Sequence, residues 1–546
     1  MGMWEPEYGK GWVPCDCQKI RASERRIERS GLAKEIQEKT FKNFRVDTEW
    51  QRNLKDTAIA YGEAYFEAKK TGGKIPWLFV SGEPGCVDAD TEYFNGREWK
   101  RISEYDGGAV LQYDPETKQA TITQPTKYIK KDADVLYEIK KKRGGINQVL
   151  SHDHNFAYVT SKGNMQKKPF HEVMRLHNSS VQGFCGRVET AFKYGGHGIT
   201  LNEKEIRIMC AVIADGSFRK GLRQCSINVK KERKKKRLRE LLKGMDYHEY
   251  TKSNGYSCFR FYAPKREKVF SDYWYSCDNE QLKIIVDEVF NWDGSINGKR
   301  RTFTSTEKKN ADFIQFALAS CGIRATIWED KRKDKKTAYE VIASSGGSLV
   351  SLRHTGGKNK AEISTFIPKD GKQYCFTVET GYLVLRRGGR IFITGNSGKT
   401  HICTALCGAF LKREVSVVYM QWVTDSRRLR ALVNDVDAFE EEIQPFLETD
   451  VLYIDDLFKQ PSHSELRATD AEGKVVFELL NRRMMLNKAT IISTEWYLED
   501  ELMAFDAGTF SRAYMLAKGF TVNIERGMDK NYRLKGFGEK RMKEGE

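Results

Sequence analysis

Two fragments of a phosphate-binding loop stand far apart in this sequence. Residues 82–85 read Gly-Glu-Pro-Gly, and residues 397–400 read Ser-Gly-Lys-Thr. Joined end to end, they complete the pattern Gly-x-x-x-x-Gly-Lys-Thr, in which backbone N–H groups and a lysine hold the phosphates of a nucleotide. An apolar stretch precedes the first fragment and an amphipathic stretch follows the second, as the strand–loop–helix context requires. We therefore expect residues 86–396 to interrupt one nucleotide-binding loop.

The edges of this 311-residue interruption carry the residue types that a self-removing segment needs. Cys86 opens it, Asn396 closes it, and Ser397 follows. A thiol can attack the preceding carbonyl, here that of Gly85, and turn the amide into a thioester. A hydroxyl can then take over the acyl group, and an asparagine can cyclise on its own backbone and cut the chain behind it. The pattern predicts that the interruption leaves the chain and that its two flanks are joined.

The whole interruption resembles an intein, a self-splicing protein element. The stretch QVLSHDHNFAYV resembles the family's Thr-x-x-His block, with Ser151 in the place of the threonine and His154 as the histidine. The resemblance implies that His154 polarises the Gly85–Cys86 amide and protonates the departing amine, with His152 as a competitor for that role. It also implies that splicing needs no cofactor.

The closing stretch QYCFTVETGYLVLRRGGRIFITGN resembles the last intein blocks, two strands that bring the second junction beside the first. It departs from the commoner pattern twice, because Gly395 stands where a histidine is usual and Cys375 stands where an aspartate is usual. The group that activates Asn396 is therefore open, with Cys375 as a candidate. The alternative is an insert that no longer splices, which would leave the phosphate-binding loop broken.

Two apolar stretches that end in Asp-Gly lie inside the interruption. Their acids, Asp215 and Asp293, are 78 residues apart, and both stretches resemble the repeat of LAGLIDADG homing endonucleases. The resemblance implies two packed helices whose acids hold Mg²⁺ together with a phosphate of double-stranded DNA, which is then hydrolysed. Glu288 and Trp292 stand where small residues usually let the helices approach, so a decayed nuclease is the alternative.

The positive charge of the chain lies in the same interruption. Residues 86–396 hold 56 lysines and arginines against 37 acidic residues, whereas the whole chain has a net charge of +17. A polyanionic partner such as DNA fits this distribution. The basic run at residues 230–240 equally fits a solvated helix face.

The flanks carry further parts of an ATP-binding site and resemble AAA+ ATPases of the DnaC/DnaI helicase-loader and IstB-like group. VLYIDDLFK reads as an apolar strand that ends in two acids, and KATIISTEW reads as another with a threonine at its polar end. The resemblance assigns ten residues to the Mg-ATP site of the joined protein, namely Gly82, Gly85, Ser397, Gly398, Lys399, Thr400, Asp455, Asp456, Thr494 and Arg512.

The same resemblance implies a role for several of these residues. Thr400 and Asp455 would hold Mg²⁺, Asp456 would orient the attacking water, and Thr494 would sense the γ-phosphate. Arg512 would reach the ATP of a neighbouring copy, which implies a homo-oligomer. A replicative helicase and single-stranded DNA are the implied partners, and an IstB-like transposition ATPase is the alternative host. Near the N-terminus the run PCDCQ, with Cys15 and Cys17, offers only two of the four ligands that a zinc site needs, so we assign no zinc site there and leave the question open.

The sequence as a whole predicts a multidomain chain. Residues 1–85 and 397–546 are the expected halves of an α/β P-loop AAA+ ATPase. Residues 86–195 and 351–396 are the expected β-rich HINT-type splicing domain, and residues 196–350 the α+β LAGLIDADG endonuclease domain. No apolar run is long enough for a membrane span and no secretory signal opens the chain, so we expect a protein of the bacterial or phage-infected cytoplasm. The rival prediction is a stable multidomain DNA-binding protein that never splices.

Overall fold

The computed structural model describes most of the chain in two compact units. One unit consists of residues 1–84 and 397–546, and the other of residues 85–396. The described residues are 3–4, 13–14, 25–32, 36, 39–42, 44, 46, 49–82, 85–125, 127–141, 145–152, 154–298, 300–331, 336–344, 347–354, 360–395, 399–458 and 468–523.

Several predicted site residues lie outside this description. Asn396, Ser397 and Gly398 are among them, as are the two cysteines of the run PCDCQ, and only the backbone is described for Lys399 and Thr400. Among the described helices, none combines the length and the apolar character that a bilayer crossing requires.

The N-terminal flank contributes one long helix and one buried strand. Its elements are β1 (Met3–Trp4), β2 (Val13–Pro14), α1 (Glu49–Thr71) and β3 (Leu78–Ser81). Strand β3 is apolar and buried along its whole length, as the sequence predicts, and it leads directly to Gly82. Gly82 has a φ of 143°, a conformation that residues with a side chain rarely adopt.

The unit of residues 85–396 is rich in strands and holds five α-helices among its described residues. Its strands are β4 (Glu92–Phe94), β5 (Trp99–Arg101), β6 (Val110–Asp114), β7 (Gln119–Thr123), β8 (Lys127–Asp132), β9 (Leu136–Lys141), β10 (Ile146–Leu150), β11 (Asn155–Val159), β12 (Met165–Pro169), β13 (Arg187–Glu189), β14 (Gly216–Phe218), β15 (Gln224–Val229), β16 (Tyr247–Thr251), β17 (Ser257–Tyr262), β18 (Gly294–Asn297), β19 (Arg300–Ser305), β20 (Ala325–Asp330), β21 (Ala338–Ala343), β22 (Leu349–Ser351), β23 (Glu362–Phe366), β24 (Lys372–Thr377), β25 (Tyr382–Arg387) and β26 (Arg390–Gly395). Its helices are α2 (Phe170–Asn178), α3 (Glu203–Asp215), α4 (Glu232–Leu242), α5 (Asn279–Val289) and α6 (Lys308–Ser320). Two short 3₁₀ helices lie at Ile102–Glu104 and Asp272–Ser276.

The C-terminal flank alternates helices and strands. Its elements are α7 (Lys399–Lys412), β27 (Val417–Gln421), α8 (Trp422–Ala431), α9 (Val436–Glu448), β28 (Val451–Leu457), α10 (Asp470–Met485), β29 (Ala489–Thr494), a π-helical turn (Leu498–Leu502), α11 (Met503–Phe505), α12 (Ala507–Leu516) and β30 (Thr521–Asn523).

The two flanks share one five-stranded parallel sheet in the order β27-β28-β29-β3-β30. Side chains alternate across β3, so Leu78 and Val80 pack with α1 and α7, whereas Phe79 packs with α8, α10 and α12 on the opposite face. Apolar cover on both faces is typical of a parallel sheet. Because β3 lies between two strands from the C-terminal flank, neither flank completes this sheet alone.

The unit of residues 85–396 has two main apolar cores. In one, helices α3, α5 and α6 pack together beneath strands that include β15 and β17. The other is surrounded by strands β6, β9, β10, β11, β24, β25 and β26. A long antiparallel strand path, β18-β19-β21-β20-β26-β11-β13-β22, connects the two regions.

Candidate active sites

Cys86 lies in an extended segment held on both sides by neighbouring strands. Its backbone N–H donates to Ser151 Oγ at 3.0 Å, and its carbonyl accepts from Ser151 N at 2.9 Å. On the other side, Val87 exchanges both backbone hydrogen bonds with Tyr374. The Cys86 side chain is fully buried. Ser151 therefore holds the backbone of the cysteine at the first junction.

The His154 imidazole lies directly against Gly85. A β-carbon built on Gly85 would come within 2.9 Å of both His154 Nδ1 and His154 Cα. Nε2 is hydrogen-bonded to Thr394 Oγ1, and Nδ1 is buried without a partner of good hydrogen-bond geometry among the described residues. The Thr394 hydroxyl can donate to Nε2, and in that tautomer the ring proton lies on Nδ1, the nitrogen that faces the Gly85–Cys86 peptide.

Burial lowers the pKa of His154 to about 3, and the nearby backbone of Cys86 and Gly85 opposes this shift only in part. The ring is therefore neutral at physiological pH, so it can donate a proton from one nitrogen while the other accepts a hydrogen bond. His152 is placed differently, because its ring stacks on the His171 ring with centroids 4.9 Å apart. Of the two histidines proposed from the sequence, only His154 touches the junction.

The chain approaches the second junction along β26, the strand that carries Thr394. Gly395, the last described residue before it, pairs with Asn155 on β11 and with Tyr382 on β25. Asn155 directly follows His154, so Gly85 and Gly395, the described residues nearest the two junctions, lie against two successive residues. Thr394, which sequence reasoning missed, reaches His154 from this strand, and no local pattern distinguishes it from other strand threonines.

Cys375 lies beside Cys86. The two side chains and Ile129 form one small buried cluster. The Cys375 Sγ atom donates to the carbonyl of Phe376 at 3.3 Å. The candidate role at Asn396 that the sequence suggests for Cys375 stays a prediction, since Asn396 is outside the described residues.

Asp215 and Asp293 lie at neighbouring ends of the packed helices α3 and α5. Burial raises the pKa of Asp293, and the Asp215 carboxylate raises it further, because two negative charges at short range oppose each other. Asp215 Oδ2 accepts a hydrogen bond from Lys234 Nζ at 2.5 Å. The structure therefore brings together the two acids that the sequence singles out.

The residue after each acid is a glycine because a side chain would not fit there. A β-carbon on Gly216 would lie 2.6 Å from the Val212 carbonyl oxygen, and one on Gly294 would lie 2.5 Å from Phe290 Cα. In both repeats the chain turns back against the last helical turn, so a side chain has no space there.

Two lysines accompany the acids. Lys234 holds Asp215, and Lys268 Nζ donates to the carbonyls of Val212 and Ile213 at 2.8 and 2.7 Å, at the C-terminal end of α3. Burial lowers the pKa of Lys268, and nearby Cys225, Asp293 and Asp215 oppose that shift. Sequence reasoning placed Lys234 only in a basic run and did not find Lys268, because its neighbours come from distant parts of the chain.

Glu288, expected to hinder helix approach, is fully buried within an ion-pair network. Its Oε2 accepts from Arg207 Nη1 at 3.2 Å and from Arg237 Nη2 at 2.5 Å. The Trp292 Nε1–H donates to its other oxygen at 3.0 Å. Two arginines compensate the buried carboxylate, and removal of both would leave its charge unpaired in the interior.

Asp455 is enclosed by hydroxyl groups. Its Oδ1 accepts from Tyr453 at 2.8 Å and from Ser493 at 2.5 Å, and its Oδ2 accepts from Tyr419 at 3.1 Å. It lies on β28, which β29 separates from β3. The next residue, Asp456, has a φ of 60°, and its N–H donates to Ser493 Oγ at 3.2 Å.

Thr494 and Arg512, which are also proposed ATP-site residues, make internal contacts in this structure. The buried Thr494 hydroxyl donates to the Leu457 carbonyl at 2.9 Å. Arg512 Nη1 donates to Asn481 Oδ1 at 3.1 Å. Their roles toward a nucleotide stay predictions.

The donor groups fit a divalent cation in part. Among the described residues, no group of three or more His, Cys, Asp or Glu side chains converges to hold a metal without outside help. The two carboxylates of Asp215 and Asp293 supply the oxygen donors that Mg²⁺ prefers, and their mutual repulsion favours a cation between them. A substrate phosphate would have to complete such a site.

Residues 289–357 match the family of LAGLIDADG-like domains. The fold and this match define a multidomain α+β protein that contains a LAGLIDADG-like domain together with β-rich regions. The match begins at the last residue of α5 and includes Asp293 and α6.

The chain is similar in sequence to three curated proteins. It is 24% identical over 430 residues to ribonucleoside-diphosphate reductase subunit beta of Aquifex aeolicus, an alignment that covers 69% of this chain and 60% of that protein. It is 34% identical over 141 residues to the uncharacterized protein YqaM of Bacillus subtilis, covering 25% and 43%. It is 32% identical over 142 residues to the phage-like element PBSX protein XkdC of Bacillus subtilis, covering 26% and 52%. The chain thus spans less than two thirds of each relative.

Solved structures with similar parts include a homing endonuclease and a LAGLIDADG domain. The homing endonuclease I-DmoI in complex with DNA and Ca is 16% identical, with 26% of this chain and 83% of that chain covered and a TM-score of 0.21. The N-terminal LAGLIDADG domain of DUF199/WhiA is 14% identical, with 27% and 77% covered and a TM-score of 0.21. A third, the AceL NrdHF class 3 split intein, is 10% identical, with 57% and 98% covered and a TM-score of 0.22.

Proposed function

We propose that the chain is the unspliced precursor of an ATP-binding protein, interrupted by a self-splicing intein that carries a DNA endonuclease. One observation carries the proposal: Gly85 lies against His154, and Gly395 pairs with the next residue, Asn155. The two ends of the interruption must meet if their flanks are to be joined. The sequence adds support, because direct linkage of Gly85 to Ser397 completes a nucleotide-binding loop.

Splicing begins at the first junction with an acyl shift. The Cys86 thiol adds to the Gly85 carbonyl, the C–N bond between the two residues breaks, and Gly85 becomes a thioester on Cys86 Sγ. The His154 imidazole faces this peptide; it passes a proton to the departing amine and recovers one from the Cys86 thiol, so the ring is neutral before and after the step. Ser151 Oγ holds the Cys86 N–H at 3.0 Å, which fixes the amide for attack.

The remaining steps transfer the acyl group to Ser397, cut the chain behind Asn396 and form the new peptide bond. The Ser397 hydroxyl attacks the thioester and expels the Cys86 thiolate, which leaves Gly85 esterified to the serine. The Asn396 side-chain amide nitrogen then attacks its own main-chain carbonyl, and the peptide bond to Ser397 breaks. The freed amine finally takes the acyl group from its own oxygen, so that an ordinary peptide bond joins the flanks.

Mass spectrometry of the expressed chain under reducing conditions tests splicing. The proposal requires pieces of 235 and 311 residues, one from the joined flanks and one from the interruption. Cys86→Ala combined with Asn396→Ala should leave the chain whole. A wild-type chain that also persists at full length would favour the rival prediction of a stable multidomain DNA-binding protein.

Within the excised segment, residues 196–350 are proposed to act as a site-specific endonuclease on double-stranded DNA. The family match at residues 289–357 and the meeting of Asp215 with Asp293 support this. A bound Mg²⁺ would supply charge stabilisation and an activated water for phosphodiester hydrolysis. Asp215 and Asp293 would orient it, while Lys268 places positive charge beside them.

The joined product is proposed to be an AAA+ ATPase of the helicase-loader type, with a replicative helicase and single-stranded DNA as partners. Support comes from the shared parallel sheet, in which β3 of one flank lies beside β29 of the other. Asp455, on β28 and separated from the loop strand β3 by β29, would hold Mg²⁺ once freed from its three hydroxyl partners. The IstB-like transposition ATPase remains the alternative host.

A further inference from the structure

The space that a penultimate side chain would need at the second junction is filled from another strand. A β-carbon on Gly395 would lie 2.6 Å from Lys167 Cε and 2.7 Å from Lys167 Cδ. Lys167 belongs to β12, which pairs with β11, and only 5% of the residue is exposed. The absence of a side chain at Gly395 thus leaves the space that the buried methylene groups of Lys167 fill.

The charged end of Lys167 is held at this junction. Its Nζ donates to the Gly381 carbonyl at 2.7 Å and lies 3.8 Å from the centroid of the Tyr382 ring. Tyr382 is the residue that pairs with Gly395 on β25. The positive charge of Lys167 also contributes to the lowered pKa of His154. Lys167 therefore acts electrostatically on the first junction as well as lying at the second.

A cation in this position acts strongly on nearby charge. Little water is present to screen it, because Lys167 is buried, and a carbonyl and an aromatic face hold it in place before any reaction starts. Such preorganised positive charge lowers the energy of an oxyanion that forms beside it.

We propose that Lys167 assists the cyclisation of Asn396 in place of a penultimate side chain; this rests on the proposed splicing function. As the Asn396 side-chain nitrogen bonds to its main-chain carbonyl carbon, negative charge develops on the carbonyl oxygen. The bond to Ser397 then breaks, and the proton lost by the side-chain nitrogen passes to the leaving amine. The Lys167 ammonium stabilises the oxyanion and keeps its own protons.

The test measures the two junction cleavages separately in the full chain. Thiol-induced cleavage between Gly85 and Cys86 reports the first junction, and it also reports that the splicing region is folded. Release of the C-terminal flank reports Asn396 cyclisation. Lys167→Met removes the charge, Lys167→Arg retains it, and Lys168→Met is a matched control, because the neighbouring Lys168 pairs with Glu172 instead.

Lys167→Met should slow Asn396 cyclisation about 100-fold and should change thiol-induced cleavage at the first junction far less, because His154 there is already neutral through burial. Lys167→Arg should recover most of the lost rate, and Lys168→Met should behave as wild type. Unchanged cyclisation in Lys167→Met would overturn the inference. So would an equal loss of both cleavages, which would indicate a purely structural lysine. If the wild-type chain released neither piece, the splicing proposal itself would fall, and this inference with it.

Discussion

Val87 and Tyr374 exchange both of their backbone hydrogen bonds, at 2.7 and 2.8 Å. The adjacent residues, Cys86 and Cys375, therefore lie opposite each other across this antiparallel bridge. In regular antiparallel sheets, opposite residues that exchange no hydrogen bonds have Cα atoms about 4.5 Å apart. Both side chains belong to one buried cluster with Ile129. The proposed first nucleophile thus lies next to a second thiol, at a separation that a disulfide can bridge.

We predict that oxidation stops splicing by linking these thiols. Oxidised glutathione would take up two electrons and two protons as Cys86 and Cys375 form a disulfide, and dithiothreitol would reverse the reaction. The measurement is the spliced fraction with and without oxidant. Cys185→Ala, which removes an exposed thiol, should leave the inhibition intact, and Cys375→Ala should abolish it. Equal inhibition of Cys375→Ala and wild type would contradict the prediction.

A methyl group at Gly395 should slow release of the C-terminal flank. Its carbon would lie 2.6 Å from Lys167 Cε and 3.0 Å from the backbone oxygen of Asn155. Gly395→Ala should therefore cost about 1–3 kcal/mol of stability, as overpacking does, and displace the lysine. The rate of C-terminal cleavage measures this. Gly195→Ala is the control, since its β-carbon would make only an ordinary contact at 3.7 Å. Equal rates for both variants would argue against the tight fit at Gly395.

Acid should weaken the splicing region through His154. The pKa of this histidine falls from 6.5 in the unfolded chain to about 3 in the fold because of burial. The associated stability is fully present above pH 6.5 and is lost progressively as the pH falls toward 3, since the unfolded chain binds the proton first. Urea denaturation of the splicing-blocked chain at several pH values measures the effect. His154→Gln should reduce the slope between pH 6.5 and 4, and an unchanged slope would contradict the buried neutral ring.

DNA cleavage should depend on both acids. A DNA substrate with the uninterrupted loop gene should be cut by the wild-type protein with Mg²⁺, and the rate should fall by several orders of magnitude in Asp215→Asn and in Asp293→Asn. Asp246→Asn alters an exposed acid of the same region and serves as the control. Cutting that persists in Asp215→Asn would remove this acid from the site, and no cutting by any form would support a decayed nuclease.

Nucleotide binding should appear only after splicing. In the precursor, Gly82 and Lys399 belong to different sides of the interruption, so the loop that holds the phosphates is not continuous. The spliced product should bind ATP at least about tenfold more tightly than the chain blocked by Cys86→Ala with Asn396→Ala. Equilibrium binding of a fluorescent ATP analogue measures this, and Lys399→Ala in the product should remove the gain. Equal affinity of the blocked and spliced forms would defeat the idea that the interruption disables the loop.

The sequence by itself determined the features that depend on covalent neighbours and short spacing. Cys86, Asn396 and Ser397 predict the edges of the interruption, because the chemistry of such residues acts on adjacent peptide bonds. The Asp-Gly pairs predicted a LAGLIDADG-like domain, which the match at residues 289–357 confirms. The buried strand β3 also followed from an apolar run. The assignment of the splice and ATP-site residues, and of the domain boundaries, stays a prediction.

Only the tertiary structure decided which distant side chains share a site. It placed His154 rather than His152 against Gly85, and it brought Thr394 to the same imidazole. It also set Lys167 in the space left by Gly395 and Lys268 beside the two acids. These contacts join residues that strand pairing and helix packing bring together across tens or hundreds of positions. Local sequence patterns do not reveal such pairings. The burial and the charged neighbours that give each side chain its role arise only when the whole unit is folded.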